Sequence, residues 1–141
     1  QLFLKMSRSI RLISSDNKSF LIKMSFLKHS GVFAKLIGDL KLDNADAGVS
    51  ALSIPVRDVN GSVLIKVLEW LRHHQDDPVI TDSDDYFEFD QYYKKWDKYF
   101  FMALNKANIE IIDLISAAYH LEIKLLNRMI TKYCVDDCYK L

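Results

Sequence analysis

The sequence predicts a single α+β domain, and three features of the chain support this prediction. Apolar and polar residues alternate along residues 10–13 and 20–24, on either side of a polar turn, which is typical of a β-hairpin. A third alternating segment, residues 52–56, leads directly into a long amphipathic helix. From residue 108 onward the pattern is helical. With 141 residues, the chain is long enough to bury one hydrophobic core.

The first predicted strands and helices follow one another closely. Residues 14–18 read Ser-Ser-Asp-Asn-Lys and form the predicted hairpin turn, because serine, aspartate and asparagine favour turns. Ser25 is predicted to cap a short helix that reaches Lys28. A second helix is predicted to follow Ser30-Gly31 and to run to about Leu40. Its apolar stripe is Phe33, Leu36, Ile37 and Leu40.

The fold is predicted to form around a helix within residues 64–78. Its apolar side chains recur at i, i+3, i+4 and i+7, so they share one face. Asn60 is predicted to cap the helix by accepting a backbone N–H. Pro78 is predicted to end it, because proline disfavours helical geometry in the preceding residue. The stripe consists of Leu64, Val67, Leu68 and Leu71.

Residues 1–9 are predicted to form a flexible tail, and residues 79–95 a long loop that is first acidic and then aromatic. Aromatic residues are scarce in disordered linkers, so at least residues 96–101 are expected to be ordered. Two C-terminal helices follow, separated by a break near residues 121–123. Their apolar stripes are Ile111, Leu114, Ile115 and Ala118, and then Leu126, Met129, Ile130 and Tyr133.

The composition argues against several classes of partner. The formal net charge is zero, so bulk attraction to nucleic acid or to an acidic membrane surface is not expected. No uninterrupted apolar run approaches the length of about 18 residues that a membrane-spanning helix needs. The two cysteines are too few for a disulfide scaffold or a tetrahedral zinc site. Free thiols favour a reducing compartment, either the cytoplasm or the nucleus.

Neither a cofactor nor catalysis is predicted. His73 and His74 are adjacent, and neighbouring side chains on a helix point about 100° apart, so the pair cannot chelate one metal ion without a break. No nucleophile-elbow, P-loop or Cys/His catalytic signature is present. The sequence is therefore predicted to belong to a protein that is not an enzyme.

The end of the long helix carries a specific motif, Trp70-x-x-His73-His74-x-Asp76-Asp77-Pro78. It resembles the Skp family, small adaptors that link F-box proteins to cullins in SCF ubiquitin ligases. Further blocks resemble the family in the same order: residues 10–16, 54–56 with 59–60, 96–97 with Phe100, and 114–124. The resemblance implies a BTB/POZ fold, a small mixed three-stranded sheet with a cluster of helices. Elongin C shares that fold but lacks the His-His-x-Asp-Asp-Pro ending.

The resemblance also implies two sets of binding residues. The cullin-facing set is Trp96, Tyr99, Phe100, Tyr119 and His120. The partial F-box-facing set is Ile123, Leu126, Met129, Ile130 and Tyr133. The sequence departs from the family at Tyr119-His120, where Asn-Tyr is usual, and in the C-terminal helices that hold the F-box, which are missing after Tyr133. The last apolar stripe is therefore expected to be partly exposed, and F-box binding to be weak or absent.

Two functions follow from these expectations. The first is an adaptor that bridges a cullin scaffold and an F-box receptor without catalysis. The alternative is a self-associating BTB/POZ module, such as a homodimer, that has lost F-box binding. Affinity capture from cells discriminates them: a cullin recovered with F-box proteins supports the first, and homo-oligomers alone support the second.

Overall fold

A computed structural model describes residues 9–39, 53–80 and 88–138 of the chain. Its sheet consists of β1 (Ser9–Ile13), β2 (Ser19–Lys23) and β3 (Ser53–Pro55), in the spatial order β2-β1-β3. β1 pairs antiparallel with β2 and parallel with β3. The predicted α+β class and the small mixed three-stranded sheet are therefore confirmed.

Five α-helices accompany the sheet in the described ranges: α1 (Gly31–Asp39), α2 (Gly61–His73), α3 (Lys95–Met102), α4 (Ile111–His120) and α5 (Lys124–Tyr133). Short 3-10 segments lie at Met24–Leu27, Glu88–Tyr92 and Ala103–Ala107, and a π-helical turn at Cys134–Cys138. In β1, Ile10 and Leu12 are fully buried and Arg11 is exposed. This alternation of buried and exposed residues shows that helices cover one face of the sheet and that the other face is open to solvent.

The hairpin turn is tied to the start of α2. Asn17 adopts a left-handed conformation with φ 64°, which asparagine tolerates better than most residues. Asp16 accepts hydrogen bonds from the Ser14 hydroxyl at 2.5 Å and from the Gly61 backbone N–H at 2.8 Å. The Ser14 bond, followed by the Gly61 bond, lowers the pKa of Asp16. The carboxylate thus satisfies a backbone donor that the first turn of α2 would otherwise leave without a partner.

The predicted cap of α2 is confirmed, because the side chain of Asn60 accepts the Val63 backbone N–H at 2.9 Å. The helix ends at His73, well before Pro78. Leu64, Val67 and Leu71 are fully buried, and so is Trp70. Leu68, the fourth residue of the predicted stripe, is only partly buried and packs against the core from outside. The buried face is rotated toward Trp70, which leaves Leu68 at its margin.

Two other local predictions differ from the structure. Ser25 lies inside the Met24–Leu27 segment and does not cap it, because that segment begins one residue earlier, after Lys23. Ser30 instead caps α1: its hydroxyl oxygen accepts the Phe33 backbone N–H at 3.2 Å. Because the same hydroxyl donates to the Leu121 carbonyl oxygen at 2.6 Å, the start of α1 is fixed against the end of α4.

Some sequence predictions lie wholly or partly outside the described residues. These are Leu40, Leu52, the tail before Ser9, and residues 81–87 of the predicted loop. In the described part of that loop, Glu88–Tyr92 forms a 3-10 segment and Lys95 begins α3. Within the described ranges, no helix is both long and apolar enough to cross a membrane.

Candidate interaction surfaces

The predicted F-box-facing stripe of α5 lies in the core. Ile123 and Leu126 have no solvent exposure, and Met129 and Ile130 are almost as buried. The expectation that this stripe is partly exposed is therefore wrong for Leu126, Met129 and Ile130. Its cover comes from α4, α3 and the Glu88–Tyr92 segment, all of which contact α5. Tyr133 is partly buried, with its ring 5.3 Å from that of Phe101.

An exposed apolar surface lies beside this buried stripe. A groove of about 590 Å³ runs between α4 and α5 and is named here the α4–α5 groove. Ile112, Tyr119 and Val135 line it with exposed fractions of 62%, 74% and 64%. The other lining residues are Ile115, Ser116, Asn127, Ile130, Thr131 and Cys134.

The sequence carries a signal for this groove that the stripe assignment missed. Residues 112, 115 and 119 are spaced three and four apart, so their side chains share one face of α4. The stripe through Leu114 and Ala118 faces the core, and this second stripe faces outward. Two apolar stripes on one helix indicate that a single core cannot cover both.

Three of the predicted cullin-facing residues line a different surface. Trp96, Tyr99 and Phe100 form one side of a groove of about 1210 Å³, named here the β2 groove. Its other sides are all five residues of β2 and the outer face of α2. Tyr99 is 62% exposed, Trp96 is partly buried and Phe100 is buried.

The structure does not bring the predicted cullin-facing set together in one groove. Tyr119 lines the α4–α5 groove, and the exposed ring of His120 stands 5.9 Å from the Tyr119 ring. Trp96, Tyr99 and Phe100 line the β2 groove. The sequence could not reveal this separation, because it depends on how α3 packs against α2 and α5. The partner of each residue stays a prediction.

A buried histidine fastens α3 to the end of α2. His74 Nδ1–H donates to Asp77 at 2.5 Å, and Nε2–H donates to Asp97 at 2.6 Å. Carboxylate oxygens only accept hydrogen bonds, so this geometry requires a proton on both ring nitrogens, which makes His74 an imidazolium. Burial acts to lower the pKa of His74, but the hydrogen bonds to Asp97 and Asp77 outweigh it and raise that pKa above its ordinary value.

Further contacts complete this His74 cluster. His29 Nε2–H donates to the His74 carbonyl oxygen at 2.7 Å, and burial lowers the pKa of His29, which keeps that ring neutral. The second oxygen of Asp97 accepts the Lys94 backbone N–H at 3.1 Å, at the first turn of α3. On the outer side, His73 stacks on Trp96 with ring centroids 3.7 Å apart. The cluster therefore fixes the position of Trp96 at the β2 groove.

Neither surface carries the constellation of a metal centre in the described part of the chain. No group of three or more His, Cys, Asp or Glu side chains is arranged there to hold a metal ion. His74 and its two carboxylates are engaged with one another, and the His74 ring is buried. What the surfaces offer is exposed apolar area on a packed α+β domain, which is the property of a protein-interaction domain.

Comparison with known proteins identifies the family of this interaction domain. Residues 8–76 match the Skp1 family, tetramerisation domain. The chain is 37% identical over 118 residues to a Skp1-related protein of Caenorhabditis elegans, covering 83% of this chain and 65% of the relative. It is 34% identical over 126 residues to the E3 ubiquitin ligase complex SCF subunit sconC of Talaromyces marneffei, covering 86% and 70%. The chain therefore belongs to the Skp1 family, which confirms the predicted membership.

A plant relative supports the same assignment. The chain is 32% identical over 119 residues to SKP1-like protein 13 of Arabidopsis thaliana, covering 84% of this chain and 68% of the relative. In all three comparisons, the chain spans about two thirds of the relative's length.

Proposed function

We propose that this protein is a non-catalytic adaptor in a cullin-based, SCF-type ubiquitin ligase, joining a cullin scaffold to an F-box substrate receptor. One observation carries the proposal: a single packed core presents exposed apolar residues in the α4–α5 groove and the exposed Tyr119-His120 pair at the end of α4. An adaptor needs two docking surfaces held at a fixed separation, and it needs no covalent chemistry on either surface. Membership of the Skp1 family, and the SCF subunit name of a relative, support this role.

The α4–α5 groove is the proposed F-box side. The predicted residues Ile123, Leu126 and Met129 would act beneath this surface, by holding α5 in place. Direct contact would fall to Ile112, Ile115 and Val135, with Ile130 at the base. A groove between two helices with apolar walls suits the apolar face of an amphipathic helix. Asn127 and Thr131 add polar groups that could orient such a helix.

The end of α4 is the proposed cullin side. Tyr119 and His120 are both exposed there, and exposed aromatic residues are frequent at the energetic centres of interfaces. Trp96 and Tyr99 would join the same contact only if the cullin reached the β2 groove as well. The Tyr119-His120 pair and Tyr99 can therefore be tested separately.

Calorimetric titration with an F-box fragment and a cullin amino-terminal fragment tests the proposal. Ile112→Ala is expected to weaken F-box binding about fivefold or more, because a central interface side chain contributes over about 1 kcal/mol. Ile65→Ala is the matched control, since Ile65 is also a half-exposed isoleucine but lines the β2 groove. Equal effects of the two variants would contradict the assignment of the F-box side.

The cullin arm uses Tyr119→Ala with His120→Ala, compared with Tyr99→Ala. The double variant is expected to lose cullin binding and keep its unfolding free energy, since both side chains are exposed. Loss of cullin binding by Tyr99→Ala instead would move the cullin contact to the β2 groove. If neither fragment binds the wild-type chain, the adaptor function itself is refuted.

The exposed α4–α5 groove also suits the alternative function, self-association, because exposed apolar patches mark docking sites for a second copy as well as for a partner. Sedimentation velocity over a range of protein concentrations measures it. Dimerisation that Ile112→Ala abolishes, together with no F-box binding by the wild type, would favour the self-associating module.

A further inference from the structure

We propose that the β2 groove is a peptide-binding site, in which an extended acidic segment of a partner protein pairs with β2 as a fourth strand of the sheet. This site goes beyond the proposed adaptor function and uses a different surface from the α4–α5 groove. Three properties of the groove, as the described residues form it, support the proposal: an open strand edge, an apolar floor and cations that have no carboxylate partner among those residues.

The open edge comes from the strand order. β2 lies at one side of the sheet and pairs only with β1 among the described residues. The main-chain N–H and C=O groups on its other side therefore have no strand partner in that part of the chain. All five residues of β2, Ser19–Lys23, line the groove, so this edge forms one of its walls. An edge strand of this kind is a template for another extended chain.

The floor of the groove is the outer face of α2. Ile65, Leu68 and Arg72 are spaced three and four apart on that face, and all line the groove. Ile65 is 48% exposed and Leu68 is partly buried, while Tyr99 of α3 adds apolar area from the side. Side chains of a strand alternate between its two faces, so every second residue of a bound segment would point onto this floor.

The groove also has unbalanced positive charge near the end of β2. The Arg72 guanidinium lies 5.7 Å above the Phe26 ring, and neither Arg72 nor Lys23 forms an ion pair within the described residues. The acidic lining residue Glu69 is paired with Lys66 at 3.1 Å. A carboxylate at the corresponding end of the bound segment would complement Arg72 and Lys23.

These properties favour an extended segment over a helix. A helix satisfies its own main-chain groups internally and would leave the β2 edge without partners. An added strand satisfies that edge and uses the apolar floor at alternate positions. Since β2 has five residues, the paired part of the segment is expected to be about five residues, or about 16 Å, long.

Selection of random nine-residue peptides displayed on phage against the folded chain tests the proposal. The enriched peptides are expected to alternate apolar and polar residues and to carry a carboxylate near one end. A synthetic copy of the most enriched peptide is then titrated, and the amide protons on the open edge of β2, every second one within Ser19–Lys23, are expected to gain protection from exchange in the complex. Two further peptides are N-methylated at alternate amides, one at the odd positions and one at the even positions. Only one of these two sets of amides faces β2, so one peptide should bind at least tenfold more weakly and the other should bind almost unchanged.

Charge variants complete the test. The double variant Lys23→Gln with Arg72→Gln should weaken binding about tenfold, and added salt should weaken wild-type binding in the same direction. Lys35→Gln, an exposed lysine on α1 that lines neither groove, is the matched control and should change nothing. Urea unfolding of each variant verifies that the fold is intact.

Several outcomes would overturn the proposal. In the selection, these are a failure to enrich any peptide above an empty support, or enriched peptides whose apolar residues follow a helical repeat. In the exchange measurement, it is protection of amides in the α4–α5 groove instead of in β2. In the N-methylation series, it is an equal loss of affinity in both registers. Displacement of the peptide by a cullin amino-terminal fragment would assign the β2 groove to the cullin, and would also refute it. Failure of F-box binding in the α4–α5 groove would leave this result unaffected, because the two measurements use different surfaces.

Discussion

The two grooves are held in shape by different forces. At the β2 groove, α3 is fastened to the end of α2 by ionised side chains, with the His74 imidazolium between Asp77 and Asp97. The α4–α5 groove rests mainly on apolar packing, with Leu114 of α4 and Leu126 of α5 fully buried beneath it. A surface built on buried charge should respond to pH and to single polar substitutions. A surface built on apolar packing should respond to lost volume.

The largest effect is expected from His74→Ala. It would leave the buried carboxylate of Asp97 without its counter-charge, and breaking a buried ion pair costs about 3–5 kcal/mol. His73→Ala, the exposed neighbour, removes only the stacking contact with Trp96 and should cost about 1 kcal/mol. Equilibrium urea unfolding measures both. A loss below about 1 kcal/mol for His74→Ala would mean that the cluster does not hold α3.

Leu126→Ala tests the other groove by creating a cavity under it. The expected loss is about 2–5 kcal/mol, the range for deleting a buried leucine side chain. Ile112→Ala, on the exposed face of α4, should change the free energy of unfolding by about 0.5 kcal/mol or less. If Leu126→Ala cost no more than about 0.5 kcal/mol, α5 would not form part of the core and the α4–α5 groove would lack its base.

How far the sequence predicts these features depends on how local they are. The Asn60 cap and the burial of Leu64 and Leu71 depend on contacts within α2 and follow from spacing alone. The apolar stripe of α5 was equally visible, but its burial depends on α3 and on Glu88–Tyr92, which are distant in sequence. The spacing of apolar residues identifies an apolar face of a helix, but not the element that covers that face.

The same limit applies to the His74 cluster. The motif around His73 and His74 is conspicuous in the sequence, and helical geometry explains why only one of the two rings is buried. The partner Asp97 lies 23 residues away along the chain, beyond a loop. Neither the charge state of His74 nor its role in fixing α3 could be derived from spacing. The two grooves likewise result from tertiary packing.

The pH dependence of stability should distinguish the two grooves. Because the pKa of folded His74 is raised, its contribution is fully present below the unfolded value of about 6.5 and is lost as the pH rises through the folded pKa. The stability advantage of the wild type over His74→Gln should therefore shrink with rising pH, by up to about 1.4 kcal/mol per unit. His29 acts in the opposite sense, since its pKa is lowered, so His29→Gln serves as the control.

Urea unfolding from pH 5 to 9 measures this dependence, and imidazole NMR shifts locate the titration of His74 directly. Asp77→Asn should lower the pKa of His74, because it removes one of the two hydrogen-bonded charges. If the stability advantage of the wild type over His74→Gln grew as the pH rose, the assignment of His74 as an imidazolium would be contradicted. The difference between wild type and Leu126→Ala should be independent of pH in this range, since no titrating group is involved.

A smaller effect than those of His74→Ala and Leu126→Ala is expected from Leu68→Ala, which tests how much of the β2 groove floor is structural. Leu68 and Leu71 share the apolar stripe predicted for this helix, but only Leu71 is fully buried. Area removed from water contributes about 25 cal/mol per Å², so a partly buried leucine should cost about 1 kcal/mol, against about 2–5 kcal/mol for Leu71→Ala. If Leu68→Ala cost as much as Leu71→Ala, Leu68 would be a core residue whose loss disturbs the whole of α2. If Leu68→Ala instead cost little free energy of unfolding and weakened peptide binding while the fold stayed intact, Leu68 would be part of the groove floor that a partner covers.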